Sequence, residues 1–146
     1  MIKINIVAVG TLKEKYWADA ISEYAKRISR FATFKIIETP EKRTPAEEGK
    51  EILKKISGYA IACDIEGEQL SSPRIADLFS SKMVEGTSEF CLIIGGSDGL
   101  SEEVKSACKR RISFGKATYP HQLMRVILTE QVYRALTIMN NVTYHK

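Results

Sequence analysis

Phe90-Cys91-Leu92-Ile93-Ile94-Gly95-Gly96-Ser97-Asp98-Gly99-Leu100-Ser101-Glu102-Glu103 is the stretch that decides the fold. A short unbroken apolar run bounded by turn residues is a strand covered on both faces. It empties into a glycine-rich turn, and Ser101 followed by two acids is a helix start. Strand, glycine loop and capped helix are the parts of a ligand-binding corner at the carboxyl edge of a parallel sheet.

The flanking sequence repeats the alternation of strand and helix. Lys3 to Val9 runs apolar into Gly10 as an interior strand. From Tyr16, the positions Trp17, Ile21, Tyr24, Ala25, Ile28 and Phe31 recur at helical steps. A strand follows over Phe34 to Glu38. Thr39 to Gly49 is polar, holds Pro40 and Pro45, and runs as a solvated connection into a helix over Ala46 to Ile56. Tyr59 to Ile65 is a strand closed by a turn at Glu66-Gly67-Glu68. Ser72 and Pro73 supply an N-cap and first-turn proline for a helix to about Val84. Beyond the glycine loop, Arg111 to Phe114 and Ala117 to Tyr119 read as extended pieces around Gly115, stopped by Pro120. Gln122 to Asn140 is a helix with two apolar stripes, Met124, Leu128, Val132, Ala135, Leu136, Met139 beside Leu123, Val126, Ile127, Tyr133, Ile138. One sheet cannot cover both, so the helix is either deeply buried or shared with a second copy, and in a chain this small a symmetric dimer is expected. The class is α/β with a parallel sheet.

Composition sets the bounds. The 146 residues, 44% hydrophobic and 27% charged, fit one globular domain, large enough to bury roughly 68–70% of the surface of its unfolded form. A formal charge of +4 permits an acidic partner and excludes a histone-like polycation. Cys63, Cys91 and Cys108 are an odd set without Cys-x-x-Cys spacing, which argues against a disulfide framework or a zinc knuckle. No apolar run is long enough for a signal peptide or a membrane span. A cytoplasmic protein is expected.

Several chemistries drop out. Ser97 and Leu100 break the dinucleotide fingerprint, no Lys-Ser/Thr follows the glycines, and no Gly-x-Ser-x-Gly occurs. The glycine pair, taken alone, fits a tight turn as well as a binding loop. His121 and His145 have no neighbours at metal-ligand spacing, so no metal is expected. His121 fits a capping or packing role, and His145, next to last, fits an idle terminus. Yet Tyr144-His145-Lys146 gathers an aromatic ring, a group titrating near neutrality and a cation, a set able to hold a base and a phosphate together. Lys109-Arg110-Arg111 reads as a solvated helix end. Arg125 and Arg134 lie in an otherwise apolar helix. Glu130 pairs with Arg134 at i,i+4, leaving Arg125 the freer arginine.

Val7-Ala8-Val9-Gly10, Ile93-Ile94-Gly95-Gly96-Ser97-Asp98-Gly99-Leu100, Pro120-His121-Gln122-Leu123-Met124-Arg125, Glu130-Gln131-Val132-Tyr133-Arg134-Ala135 and Tyr144-His145-Lys146 together resemble the RlmH family of SPOUT methyltransferases, end to end. The resemblance implies a single α/β domain, a parallel-sheet sandwich with a C-terminal trefoil knot. It also implies a homodimer that transfers a methyl group from S-adenosylmethionine to N3 of a pseudouridine in bacterial large-subunit (23S) ribosomal RNA, within an assembled ribosome. By the same resemblance Cys63, Gly95, Phe114, Gly115, Lys116, Ala117, Thr118 and Tyr119 would bind the cosubstrate. Cys63 and Gly115 depart from the larger aliphatic residue and the serine common among relatives. Catalysis would fall to His145 as proton acceptor or orienting group, Tyr144 on the target base and Arg125 on RNA or on the tail across the dimer. Lys146 and His121 would contact RNA. The rival readings are a non-enzymatic RNA-binding module and a flavodoxin-like small-molecule enzyme.

Overall fold

A computed structural model describes residues 1–146. Five parallel strands form one sheet in the order β2-β1-β4-β3-β5: β1 (Ile2–Val9), β2 (Ala32–Thr39), β3 (Tyr59–Gln69), β4 (Glu89–Ile94) and β5 (Arg110–Ser113). The helices are α1 (Lys15–Ile28), α2 (Pro45–Leu53), α3 (Ser72–Val84), α4 (Glu102–Ala107) and α5 (His121–Met139). As expected, β1 is interior, with neighbours on both sides.

Side chains alternate across the sheet, and the two faces carry separate cores. Ile4, Ile6, Ala8, Phe90, Leu92 and Ile94 pack under α1, α3 and α5. Val7, Val9, Cys91 and Ile93 pack on the other face with Ile52 of α2 and Val104 of α4. The chain therefore leaves β3 toward one face and leaves β4 toward the opposite one. Adjacent strands whose connections diverge in this way open a crevice at their carboxyl ends.

Four local expectations need correction. β3 does not stop at Ile65 but continues to Gln69, with a register shift between Cys63 and Glu68, both of which pair with Ile112. Gly67 lies so close to β5 that a Cβ there would meet the Arg111 carbonyl carbon at 2.7 Å, so the glycine serves strand contact rather than a turn. Ser71, not Ser72, caps α3, accepting from the Arg74 N–H, while the Ser72 hydroxyl donates to Gln131 of α5. Ala117 to Tyr119 belongs to no strand. On α5, neighbouring helices cover more than a sheet could. Leu128, Val132, Tyr133, Ala135 and Leu136 are buried, and Leu123, Val126, Ile127 and Ile138 stay half-exposed.

Candidate functional site

The crevice at the ends of β3, β4 and β5 is a cavity of about 370 Å³, inside the range of roughly 300–1,000 Å³ typical of small-molecule sites. Its apolar wall is Ile94, Ile112, Phe114 and Met124; its polar rim is the glycine loop and the 117–119 segment. Of the residues expected at a cosubstrate site, Cys63, Gly95, Phe114, Gly115, Ala117, Thr118 and Tyr119 all line it, and so does His121. Lys116 does not, because it is exposed on the outside of the same loop.

Two turns shape the walls. The Gly99 N–H donates to the Gly96 carbonyl at 3.1 Å and folds the glycine loop on itself. A Cβ on Gly95 would then meet the Gly99 carbonyl carbon and oxygen at 2.7 Å, so the loop's own closure demands that glycine. At the other wall Ser113 Oγ accepts from the Gly115 N–H at 3.1 Å and donates to the Gly115 carbonyl at 3.0 Å. This turn holds Gly115 at φ +111°, a left-handed backbone that favours glycine.

The pocket also contains residues that pattern reading missed. Asp64 and Ile65 enter it from the β3 irregularity. Both lie at the end of the strand expected over Tyr59 to Ile65, beside Cys63, and their residue types alone do not mark them as pocket residues.

Arg125 is not the freer arginine. It is 2% exposed. Nη1 bonds to Glu38 at 2.7 Å, and Nη2 donates to the Val9 and Gly10 carbonyls at 3.2 and 3.1 Å. In this chain it clamps the first turns of α5, which carry His121 and Met124 of the pocket, to the ends of β1 and β2. Arg134 pairs with Glu130 as its spacing predicts.

In the C-terminal tail Tyr144 is packed, away from the pocket, while His145 and Lys146 stay exposed. Tyr144 stands edge-on to Tyr133, its hydroxyl donates to Glu130 at 3.2 Å, and Arg134 covers its ring. Burial, with Glu130 nearby, pushes the Tyr144 phenol up to about 12. Arg134 Nη1 lies 3.0 Å from His145 Nδ1. A guanidinium only donates, so Nδ1 accepts and the neutral ring carries its proton on Nε2. Glu130 and Arg134, which hold the tail, are six and ten residues beyond Met124, about 9 and 15 Å along a helix, and none of Tyr144, His145 and Lys146 lines the cavity.

Burial pushes the Cys63 thiol up to about 12 and Cys108 up to about 11, which keeps both protonated and poorly nucleophilic. No three His, Cys, Asp or Glu side chains converge on a common point able to hold a metal. No helix is long and apolar enough to cross a membrane.

A diverging parallel sheet with its pocket among β3, β4, β5 and the start of α5 defines the class of protein. The chain belongs to the family described as "Predicted SPOUT methyltransferase", whose model matches residues 2–145. Among solved structures, a probable methylase family protein from Haemophilus influenzae Rd KW20 superposes with a TM-score of 0.58 at 14% identity, covering 100% of this chain and 72% of that one. The tRNA (m1G37) methyltransferase of Aquifex aeolicus gives 0.55 at 13% identity, with 99% and 73% covered. TrmJ from Z. mobilis ZM4 gives 0.51 at 12% identity, with 92% and 70% covered. At these identities the likeness is one of fold.

Proposed function

We propose that this methyltransferase is a homodimeric, cytoplasmic enzyme that uses S-adenosylmethionine to methylate N3 of a pseudouridine in bacterial large-subunit ribosomal RNA, acting on the assembled ribosome. The observation that carries the methyl-donor half is the convergence of Cys63, Gly95, Phe114, Gly115, Ala117, Thr118 and Tyr119 on one cavity. Its volume suits a nucleoside with a short side arm, and its apolar wall with exposed loop backbone suits a purine and its hydrogen-bonding edge. The RNA half rests on the resemblance of the motifs to the RlmH family, as does the trefoil knot, since a strand order does not by itself define a threading.

Bound S-adenosylmethionine supplies a methyl group already activated on a sulfonium. The protein then needs to place N3 in line with it and let the N3 proton leave. Because the tail is held about 9–15 Å along α5 from its own pocket, on Glu130 and Arg134, Tyr144, His145 and Lys146 act on the base and phosphate at a partner's pocket. The half-exposed Leu123, Val126 and Ile127 on α5 form the seam that brings two copies together. With Nδ1 occupied by Arg134, His145 presents Nε2–H, a donor that orients the base by binding its carbonyl rather than accepting the proton.

Calorimetric titration with S-adenosylmethionine, followed by methyl transfer assays on ribosomes, naked ribosomal RNA and tRNA, tests the reading. Micromolar binding and transfer to ribosomes alone are expected. Binding with transfer to tRNA would overturn the ribosomal target, and no binding would overturn the enzyme reading.

A further inference from the structure

The C-terminal tail stands on a bracket that α5 does not supply alone. Past the Val142 N–H, which donates to the Thr137 carbonyl at 2.9 Å, the chain belongs to no helix or strand, so side-chain contacts decide where Tyr144 stands. Tyr133 meets its ring edge-on, with centroids 4.7 Å apart. Tyr133 is in turn engaged by α1. The Tyr24 ring lies 6.2 Å away, and the Arg27 guanidinium sits over both rings, 5.7 Å from the centroid of Tyr133 and 5.6 Å from that of Tyr24. Glu23 fixes the guanidinium, accepting from Arg27 Nε at 3.1 Å. Tyr24 also adjoins the Tyr144 hydroxyl.

We infer that Tyr24 and Arg27 are positioning residues for methyl transfer: acting through Tyr133 and Tyr144, they hold the tail in the arrangement that meets the target base. The inference rests on the tail reading above and deepens it by assigning α1 a part. Two observations set it apart from ordinary packing. The Arg27 side chain is 43% exposed and that of Glu23 56%, so water screens the pair and the bracket contributes little to stability. Its contacts are also directional, a cation seeking the face of a ring and a second ring the edge, so the cluster specifies an orientation more than it buries surface. Arg134 covers the Tyr144 ring at 4.7 Å and also bonds to His145, so an orientation set at Tyr144 passes on to His145.

The test compares Arg27→Gln, Arg27→Lys and Tyr24→Phe with wild type and with the chain lacking Tyr144, His145 and Lys146. Steady-state methyl transfer to ribosomes, calorimetry with S-adenosylmethionine, sedimentation and melting temperature are measured on each. Arg27→Gln is expected to lower kcat by roughly ten- to a hundredfold, the scale of a small misplacement near reacting atoms, with cosubstrate affinity, assembly and melting temperature near parental. Arg27→Lys, which keeps a cation over the rings, should recover part of that loss, and Tyr24→Phe, which keeps the ring, should lose only severalfold. The chain has two histidines, so nitrogen NMR of the imidazoles reads His145 with His121 as internal reference, and Arg27→Gln should mix the His145 tautomers while leaving His121 unchanged. An unchanged kcat in Arg27→Gln, no recovery in Arg27→Lys, or an unmixed His145 overturns the inference. So does a loss of activity accompanied by a monomer, which would assign Arg27 to assembly. Parental transfer after removal of the tail overturns the tail reading, and the inference with it.

Discussion

Replacing Glu38 with Gln removes one charge and almost no volume from the clamp that holds α5 to the sheet. Arg125, 2% exposed, would keep its bonds to the Val9 and Gly10 carbonyls and lose its counter-charge 2.7 Å away. Breaking a fully buried pair costs about 3–5 kcal/mol. Glu38 is 39% exposed, so water weakens the pair and lowers the cost to that of one charged hydrogen bond, roughly 1.5–3 kcal/mol. At about 2–4 °C per kcal/mol for a domain of this size, the melting temperature should fall by roughly 3–12 °C. Arg125→Met should cost more, about 3–5 kcal/mol, because two buried carbonyls also lose their donor. Urea unfolding of both single variants and the double variant measures the coupling. A single-variant cost below about 0.5 kcal/mol, the level of an ordinary surface change, would refute the clamp. A folded Arg125→Met with normal stability but weakened RNA binding would restore the RNA role to that residue.

Two further outcomes follow from the same structure. The unfolded chain releases the Cys63 and Cys108 protons near pH 9, whereas the folded chain holds them to about 12 and 11. Their contribution to stability is therefore complete below pH 9 and lost as pH rises toward 11–12, by at most about 1.4 kcal/mol per pH unit for each thiol. Urea midpoints from pH 8 to 10.5 should show the slope, and Cys63→Ala should flatten it. Deleting Tyr144, His145 and Lys146 should leave S-adenosylmethionine affinity unchanged, abolish methyl transfer to ribosomes, and lower stability modestly through the lost packing on Tyr133 and Arg134. Transfer at the parental rate would show that the tail is dispensable.

Local patterns specified most of the fold. The apolar run through Ile94 and the Ser101 cap lie where their residue types place them. β1 and α1 match the expected elements to within a few residues at their ends. The error at the end of β3 has a long-range cause, a distant strand that dictates local geometry. Glu66-Gly67-Glu68 has the composition of a turn, yet β5 pairs with Glu68 and Gln69 and draws the segment into the sheet. Asp64 and Ile65 enter the pocket beside Cys63 from the same irregular stretch. Arg125 was misjudged for a related reason. Its helical neighbours offer no acid, and its partner Glu38 is 87 positions away.

The pocket and the tail belong to different turns of one helix, and this constrains how the enzyme can be assembled. α5 contributes His121 and Met124 to the cavity at its start, while Glu130, Tyr133 and Arg134 hold the tail from its middle turns. A straight helix keeps those turns about 9–15 Å apart. If the tail acts on the RNA base, it acts at the pocket of another copy, and the half-exposed stripe of α5 lies between the two. Placing a charge on that stripe with Ile127→Glu should then yield a monomer that still binds S-adenosylmethionine, since Ile127 does not line the cavity, yet transfers no methyl group. Sedimentation and calorimetry on the same sample separate the cases. A monomer that methylates ribosomes would show that one chain holds the whole site, and a dimer with parental activity would move the seam elsewhere on the surface.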